Sequence, residues 1–187
     1  MAKPDQSHFF LRATVATVVM LTFSFVLSAI APANAAQQCA IEHARYETMD
    51  NSHWTAGFRQ IPKASNWLTN VAFYVQSGET KRTYWFLFDA GSARYINMLP
   101  TVDVTQPGWH PRDSDAKEPT PLNSDMHYLP VDAQLGLSLT MPQAGKVAPD
   151  FILLPDLQEI MWYRMTNPTQ RESAPLAFFK LSGCNSN

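Results

Sequence analysis

Residues 70–89 read Asn-Val-Ala-Phe-Tyr-Val-Gln-Ser-Gly-Glu-Thr-Lys-Arg-Thr-Tyr-Trp-Phe-Leu-Phe-Asp. Two runs rich in aromatic and β-branched residues flank a polar turn containing Gly78, which predicts a β-hairpin. On the first arm Val71, Phe73 and Val75 share one face and Ala72 and Tyr74 the other. On the second arm Tyr84, Phe86 and Phe88 oppose Trp85 and Leu87. Both faces are apolar, so the hairpin has to be covered on both sides. A sandwich or a barrel with additional cover satisfies that; a single exposed sheet does not.

The flanking sequence continues the pattern. Ala40–Met49 alternates weakly among charged residues and predicts a solvent-facing strand. Trp54–Ile61 predicts a second strand ended by Pro62, and Arg94–Leu99 another stopped by Pro100. Met126–Val131 predicts a strand that Pro130 places at an edge or ends. Leu135, Leu137 and Leu139 alternate with small residues and predict a half-buried strand. Phe151–Leu154 is an apolar run, and Pro155-Asp156 suits a short helix start. Leu176–Leu181 predicts the closing strand. The reading is an all-β, single sandwich or barrel-like domain of about eight short antiparallel strands, with at most one short helix. Between residues 102 and 125, Pro107, Pro111, Pro119 and Pro121 fall among polar residues. This loop is too long to be a mere connector.

The N-terminus reads as a targeting segment. Lys3 and Arg12 precede the nearly uncharged apolar run Ala13–Ile30, and Ala33 and Ala35 form an A-x-A site. A signal peptide over residues 1–35 is expected, leaving one domain over 36–187. An uncleaved membrane anchor is the alternative, since the run approaches the length of a span. Removing 35 of the 187 residues leaves 152, enough for one domain with a core. The precursor carries a net charge of −2. With no basic cluster, that balance argues against a nucleic-acid partner.

Cys39 and Cys184 are the only two cysteines. In an oxidising compartment they predict one disulfide joining the ends of the domain. The chain is therefore expected to be exported, to a periplasm or the exterior.

Chemical constellations are sparse. His43, His53, His110 and His127 show no zinc spacing, so no metal or other cofactor is expected. Asp113-Ser114-Asp115 lacks the glycine and the distal glutamate of a calcium loop. Phe86-Leu87-Phe88-Asp89-Ala90-Gly91-Ser92 resembles the apolar-apolar-Asp-Thr/Ser-Gly signature of aspartic proteases, in a setting similar to the retropepsin-like group. The resemblance covers about 30 residues of the chain. It implies that Asp89 is a catalytic carboxylate sharing a proton with a second one across a dimer or pseudo-dimer. Ala90 departs from the signature, which has a hydroxyl there, and no second Asp-Thr/Ser-Gly follows. Gln134-Leu135-Gly136 is a weak counterpart of the family's downstream apolar-apolar-Gly segment. Asp89 is otherwise a cap on a turn that ends a buried strand.

Trp54, Trp67 and Trp109 sit in polar turns, with His110 beside the last. Aromatics presented by loops of a β-scaffold are contact residues, so these four are the expected binding residues. Trp109 has a second reading, as a pin holding the long loop to the body. The expected function is that of a secreted or periplasmic, non-catalytic binding protein, whose partner is another protein (as for an inhibitor) or a cell-envelope ligand. The alternatives are a hydrolase using Asp89 and, if the apolar segment is retained, a membrane-anchored structural component of the envelope.

Overall fold

The computed structural model describes residues 39–64, 67–90, 95–111 and 119–185. The chain divides into Met1–Gln37 and Gln38–Asn187. The expected signal peptide, residues 1–35, lies outside the described residues.

Eight strands follow in order: β1 (Ala44–Thr48), β2 (Thr55–Gln60), β3 (Val71–Gln76), β4 (Thr83–Asp89), β5 (Ile96–Thr101), β6 (Met126–Val131), β7 (Phe151–Leu153) and β8 (Phe178–Cys184). Each pairs antiparallel with the next, and β8 pairs with β1, so the sheet closes into a barrel. Closure gives every strand of the barrel a partner on both sides, which limits the edge open to unwanted pairing. One short helix, α1 (Leu157–Tyr163), lies between β7 and β8.

Eight strands enclose a space that side chains alone can fill. Here aromatics fill it. Tyr46, Phe58, Phe73, Phe86, Phe88, Tyr128 and Phe179 are all buried. Phe58 packs edge-on to Phe73 at 5.2 Å and Phe88 edge-on to Tyr128 at 5.1 Å between ring centroids. Such pairs contribute about 0.5–1.5 kcal/mol beyond their burial.

The outer face of the β3–β4 hairpin is also covered. Ala72 and Leu87 pack with Ile61, Trp67 and Val104 in a second cluster, against which Trp85, Leu99 and Trp109 lie half-buried. The double cover expected of the hairpin is thus supplied by the barrel interior on one side and two loops on the other. Trp109 does pin the β5–β6 loop, of which residues 112–118 lie outside the described residues.

Several sequence expectations are corrected. β1 is not solvent-facing: Ala44, Tyr46 and Thr48 point inward while Arg45 and Glu47 face water. Its charged residues hid a clean alternation. Pro100 does not stop β5 but pairs with Phe86 inside it. β6 pairs with β5 only at Ile96–Met98, so a residue without an N–H is tolerated beyond that point. Leu135, Leu137 and Leu139 form no strand of the barrel and are exposed. Trp54 and Trp67 are 2% and 8% exposed, which removes both from the contact residues expected on loops. A polar sequence neighbourhood misplaced them, because burial of a large ring is decided by the strands that surround it.

The strand order sends the start of β1, the end of β8 and the β2–β3, β4–β5 and β6–β7 connections to one end of the barrel. Cys39 and Cys184 form a disulfide there, with Cα atoms 5.6 Å apart. The other end carries the β1–β2 and β3–β4 turns, the β5–β6 loop and α1. There Glu172, 7% exposed, accepts hydrogen bonds from Tyr84 Oη at 2.7 Å and Thr80 Oγ1 at 2.8 Å and pairs with Arg82 at 3.2 Å. Burial opposes its ionisation. Hydrogen bonds from Ser77, Tyr84 and Thr80, with the Arg82 charge, outweigh that and hold its pKa below the usual glutamate value.

Candidate binding surface

The β6–β7 loop, residues 132–150, opens with a turn built around one carboxylate. Asp132 Oδ1 accepts the Gln134 N–H at 2.9 Å and the Gly136 N–H at 2.7 Å. The backbone closes the same turn, with the Asp132 N–H on the Gly136 carbonyl at 3.0 Å. A Cβ on Gly136 would stand 2.7 Å from Asp132 Oδ2, so a side chain there would push the carboxylate out of its present position. The Ser138 N–H then donates to the Pro130 carbonyl at 3.1 Å, and Leu137 bridges to Val131.

This turn sets how the leucines are presented. Leu135 takes a left-handed conformation with φ of 64°. A side chain there costs roughly 1 kcal/mol, and few residues other than glycine and asparagine adopt it readily. Leu135, Leu137 and Leu139 are 69%, 65% and 57% exposed, and Val147 on the same loop is 59% exposed. Strain and exposed apolar side chains are both unfavourable for the isolated domain. Both occur together on this hydrogen-bonded loop.

The rest of the loop is anchored. The Ala144 N–H donates to Asn70 Oδ1 at 3.0 Å, the Gly145 N–H to Glu42 Oε2 at 2.8 Å, and the Ile41 N–H to the Lys146 carbonyl at 2.8 Å. Thr69 Oγ1 also donates to the Pro142 carbonyl. The leucines therefore stand on a fixed base.

A second constellation lies outside the barrel on β4, β5 and β6. The register aligns Asp89 with Asn97 and Asn97 with His127. Asp156 Oδ2 holds His127 twice, through the backbone N–H at 2.8 Å and Nδ1 at 2.8 Å. Asp156 precedes α1 and uses its carboxylate on His127 instead of capping the helix. The Tyr95 ring packs edge-on to the His127 ring at 5.1 Å. Burial, and then the charge of Asp89, push the Asp125 carboxyl up, against the pull of His127. Asp89 itself accepts the Ala90 N–H at 2.7 Å, the local turn contact expected of a cap. Gly91 and Ser92 of the protease-like signature lie outside the described residues.

Of the other expected contact residues, His110 is exposed next to the half-buried Trp109. Trp54 belongs to the barrel core and Trp67 to the outer cluster, so the structure does not gather the four into one site. Among the described residues no three of His, Cys, Asp and Glu are grouped as metal ligands would be. Sequence reasoning missed the His127–Asp156 pair, which spans 29 residues and carries no local signature. It noticed the leucines but placed them on a half-buried strand. The signal that they lie outside a strand was Asp132 followed four residues later by Gly136. Comparison with protein families, curated proteins and solved structures gives no match.

Proposed function

We propose that the chain is an exported, non-catalytic interaction protein that engages a protein partner through the leucines of the β6–β7 loop. The observation that carries this reading is the exposure of Leu135, Leu137 and Leu139 on a turn held by Asp132. A rigid apolar tip loses little conformational freedom on docking, which favours affinity. The Cys39–Cys184 disulfide supports export, because such bonds persist in oxidising compartments. The test compares wild type with a variant carrying Leu135→Ser, Leu137→Ser and Leu139→Ser, both immobilised and exposed to envelope extract. The reading expects a discrete partner retained by the wild type and lost by the variant at equal thermal stability. Identical retention by both proteins contradicts it.

A second reading, a hydrolase using Asp89, draws support from the influence of Asp89 on the Asp125 carboxyl. A carboxyl raised by the charge of a neighbouring carboxylate is one element of acid–base chemistry on a shared proton. It expects a peptidase activity at acid pH that Asp89→Asn and Asp125→Asn each abolish. Activity unchanged in either variant excludes this pair.

A further inference from the structure

An open cleft of about 640 Å³ runs over the outside of β2, β3 and β4 toward His43 and Asn185. Strand register aligns Arg45 with Gly57, Gly57 with Tyr74 and Tyr74 with Trp85, one row across β1–β4. Gly57 has no side chain to fill its place in that row, and Tyr74 takes it. A Cβ on Gly57 would stand 2.6 Å from Tyr74 Oη. The phenol therefore lies down over β2 instead of standing off the sheet. The Trp85 ring follows at 5.2 Å between centroids, tilted by 51°. Both rings line the cleft and are half-buried, so the cleft has an aromatic floor.

The rim is polar. Arg59 and Gln60 line the cleft and are exposed, and their side chains have no hydrogen-bond or ion-pair partner among the described residues. A guanidinium and a primary amide are rich in N–H donors, and here both are open to a ligand. The charge balance favours an anion. Arg45, the neighbouring arginine, is already paired with Glu47 at 3.1 Å. Glu42, the one carboxylate lining the cleft among the described residues, already accepts the Gly145 N–H at 2.8 Å. Arg59 is therefore left as a cation beside the two rings. Burial pushes the Tyr74 phenol up, and the charges of Arg45 and Arg59, which both reach it, oppose that rise.

We infer that this cleft binds an acidic saccharide, with a pyranose face on Trp85 and Tyr74 and a carboxylate on Arg59. Aromatic ring faces are electron-rich, and the C–H bonds of a sugar face are polarised in the opposite sense, so the two attract. The planar fork of Arg59 matches a carboxylate with two parallel N–H donors. Gln60 supplies both a donor and an acceptor for sugar hydroxyls. An enclosed apolar pocket would strip those hydroxyls of water, whereas an open cleft with a polar rim leaves the unbound ones hydrated. The inference does not rest on the leucine tip, which belongs to the β6–β7 loop.

The test titrates the isotope-labelled exported protein with tetragalacturonate and follows the indole N–H resonance of Trp85. Two controls separate the contributions. The methyl-esterified tetramer keeps the sugar rings and removes the charge, and tetraglutamate keeps the charge and removes the rings. Tetragalacturonate is expected to shift the resonance saturably and to bind about tenfold more tightly than either control. Arg59→Gln is expected to bind tetragalacturonate no better than the ester. The substitution is on the surface, and circular dichroism checks that the fold persists. Three results overturn the inference. One is no saturable shift with tetragalacturonate. Another is equal affinity for tetraglutamate, which would reduce the cleft to a site for any polyanion. The third is undiminished affinity for tetragalacturonate in Arg59→Gln.

Discussion

Leu135 carries an unfavourable backbone conformation and an exposed apolar side chain at once, with φ of 64° and 69% exposure. If the loop is shaped for a partner, function and stability separate at this residue. Leu135→Asn relieves the strain and is expected to stabilise the domain by roughly 1 kcal/mol while weakening partner binding; thermal melts and binding assays on one sample measure both. Tyr128→Phe is likewise expected to leave stability unchanged or raise it by about 1–3 kcal/mol, since it removes an unsatisfied buried hydroxyl. Glu172 behaves in the opposite sense. Its folded pKa lies below its unfolded value, so its contribution is complete above the ordinary glutamate range and is lost as pH falls through the folded value. Urea titrations between neutral pH and about pH 3 are expected to show a drop below about pH 4.3 that Glu172→Gln flattens. None of these three roles was legible in the sequence. Glu172 meets Tyr84 across 88 positions, and the exposure of Leu135 depends on the turn from Asp132 to Gly136.

At the scale of elements, the aromatic hairpin was the most legible part of the chain. Its two alternating faces predicted cover on both sides, and the barrel interior and the outer cluster supply it. The alternating leucines were the least legible, because period-two alternation is the signature of a strand wherever it lies. What breaks that strand is the competition of the Asp132 carboxylate for backbone N–H groups. Close packing between turns shows the same limit. A Cβ on Gly78 would lie 2.2 Å from the Ser52 carbonyl oxygen, so the β3–β4 turn meets the β1–β2 turn backbone to backbone. Gly78→Ala forces the two turns apart and is expected to destabilise by roughly 1–3 kcal/mol, seen as a lower denaturant midpoint with little change in its slope. The sequence marked Gly78 as a turn residue but held no sign of the turn it faces.

For the whole molecule, the cysteine spacing predicted that the two ends of the domain meet, and β1 pairs with β8 beside the bond. It did not choose between a sandwich and a barrel. That choice depends on whether the last strand reaches the first, which no local pattern encodes. The disulfide closes a separation of 145 residues, for which chain entropy gives at most roughly 5 kcal/mol. Melting in reductant is therefore expected to fall by roughly 10–20 °C. An intact mass beginning at Ala36, increased on alkylation by two thiols only after reduction, is the expected signature of the exported form.

The claim that joins these scales is that the leucine tip is covered by a partner where the protein works. A photoreactive side chain placed at Leu137 and activated in intact producing cells tests it most directly. A discrete cross-linked adduct of one mass is expected, and it disappears when Leu135→Ser and Leu139→Ser are added. A tip that yields no adduct, or the same adducts with and without those leucines, would contradict it.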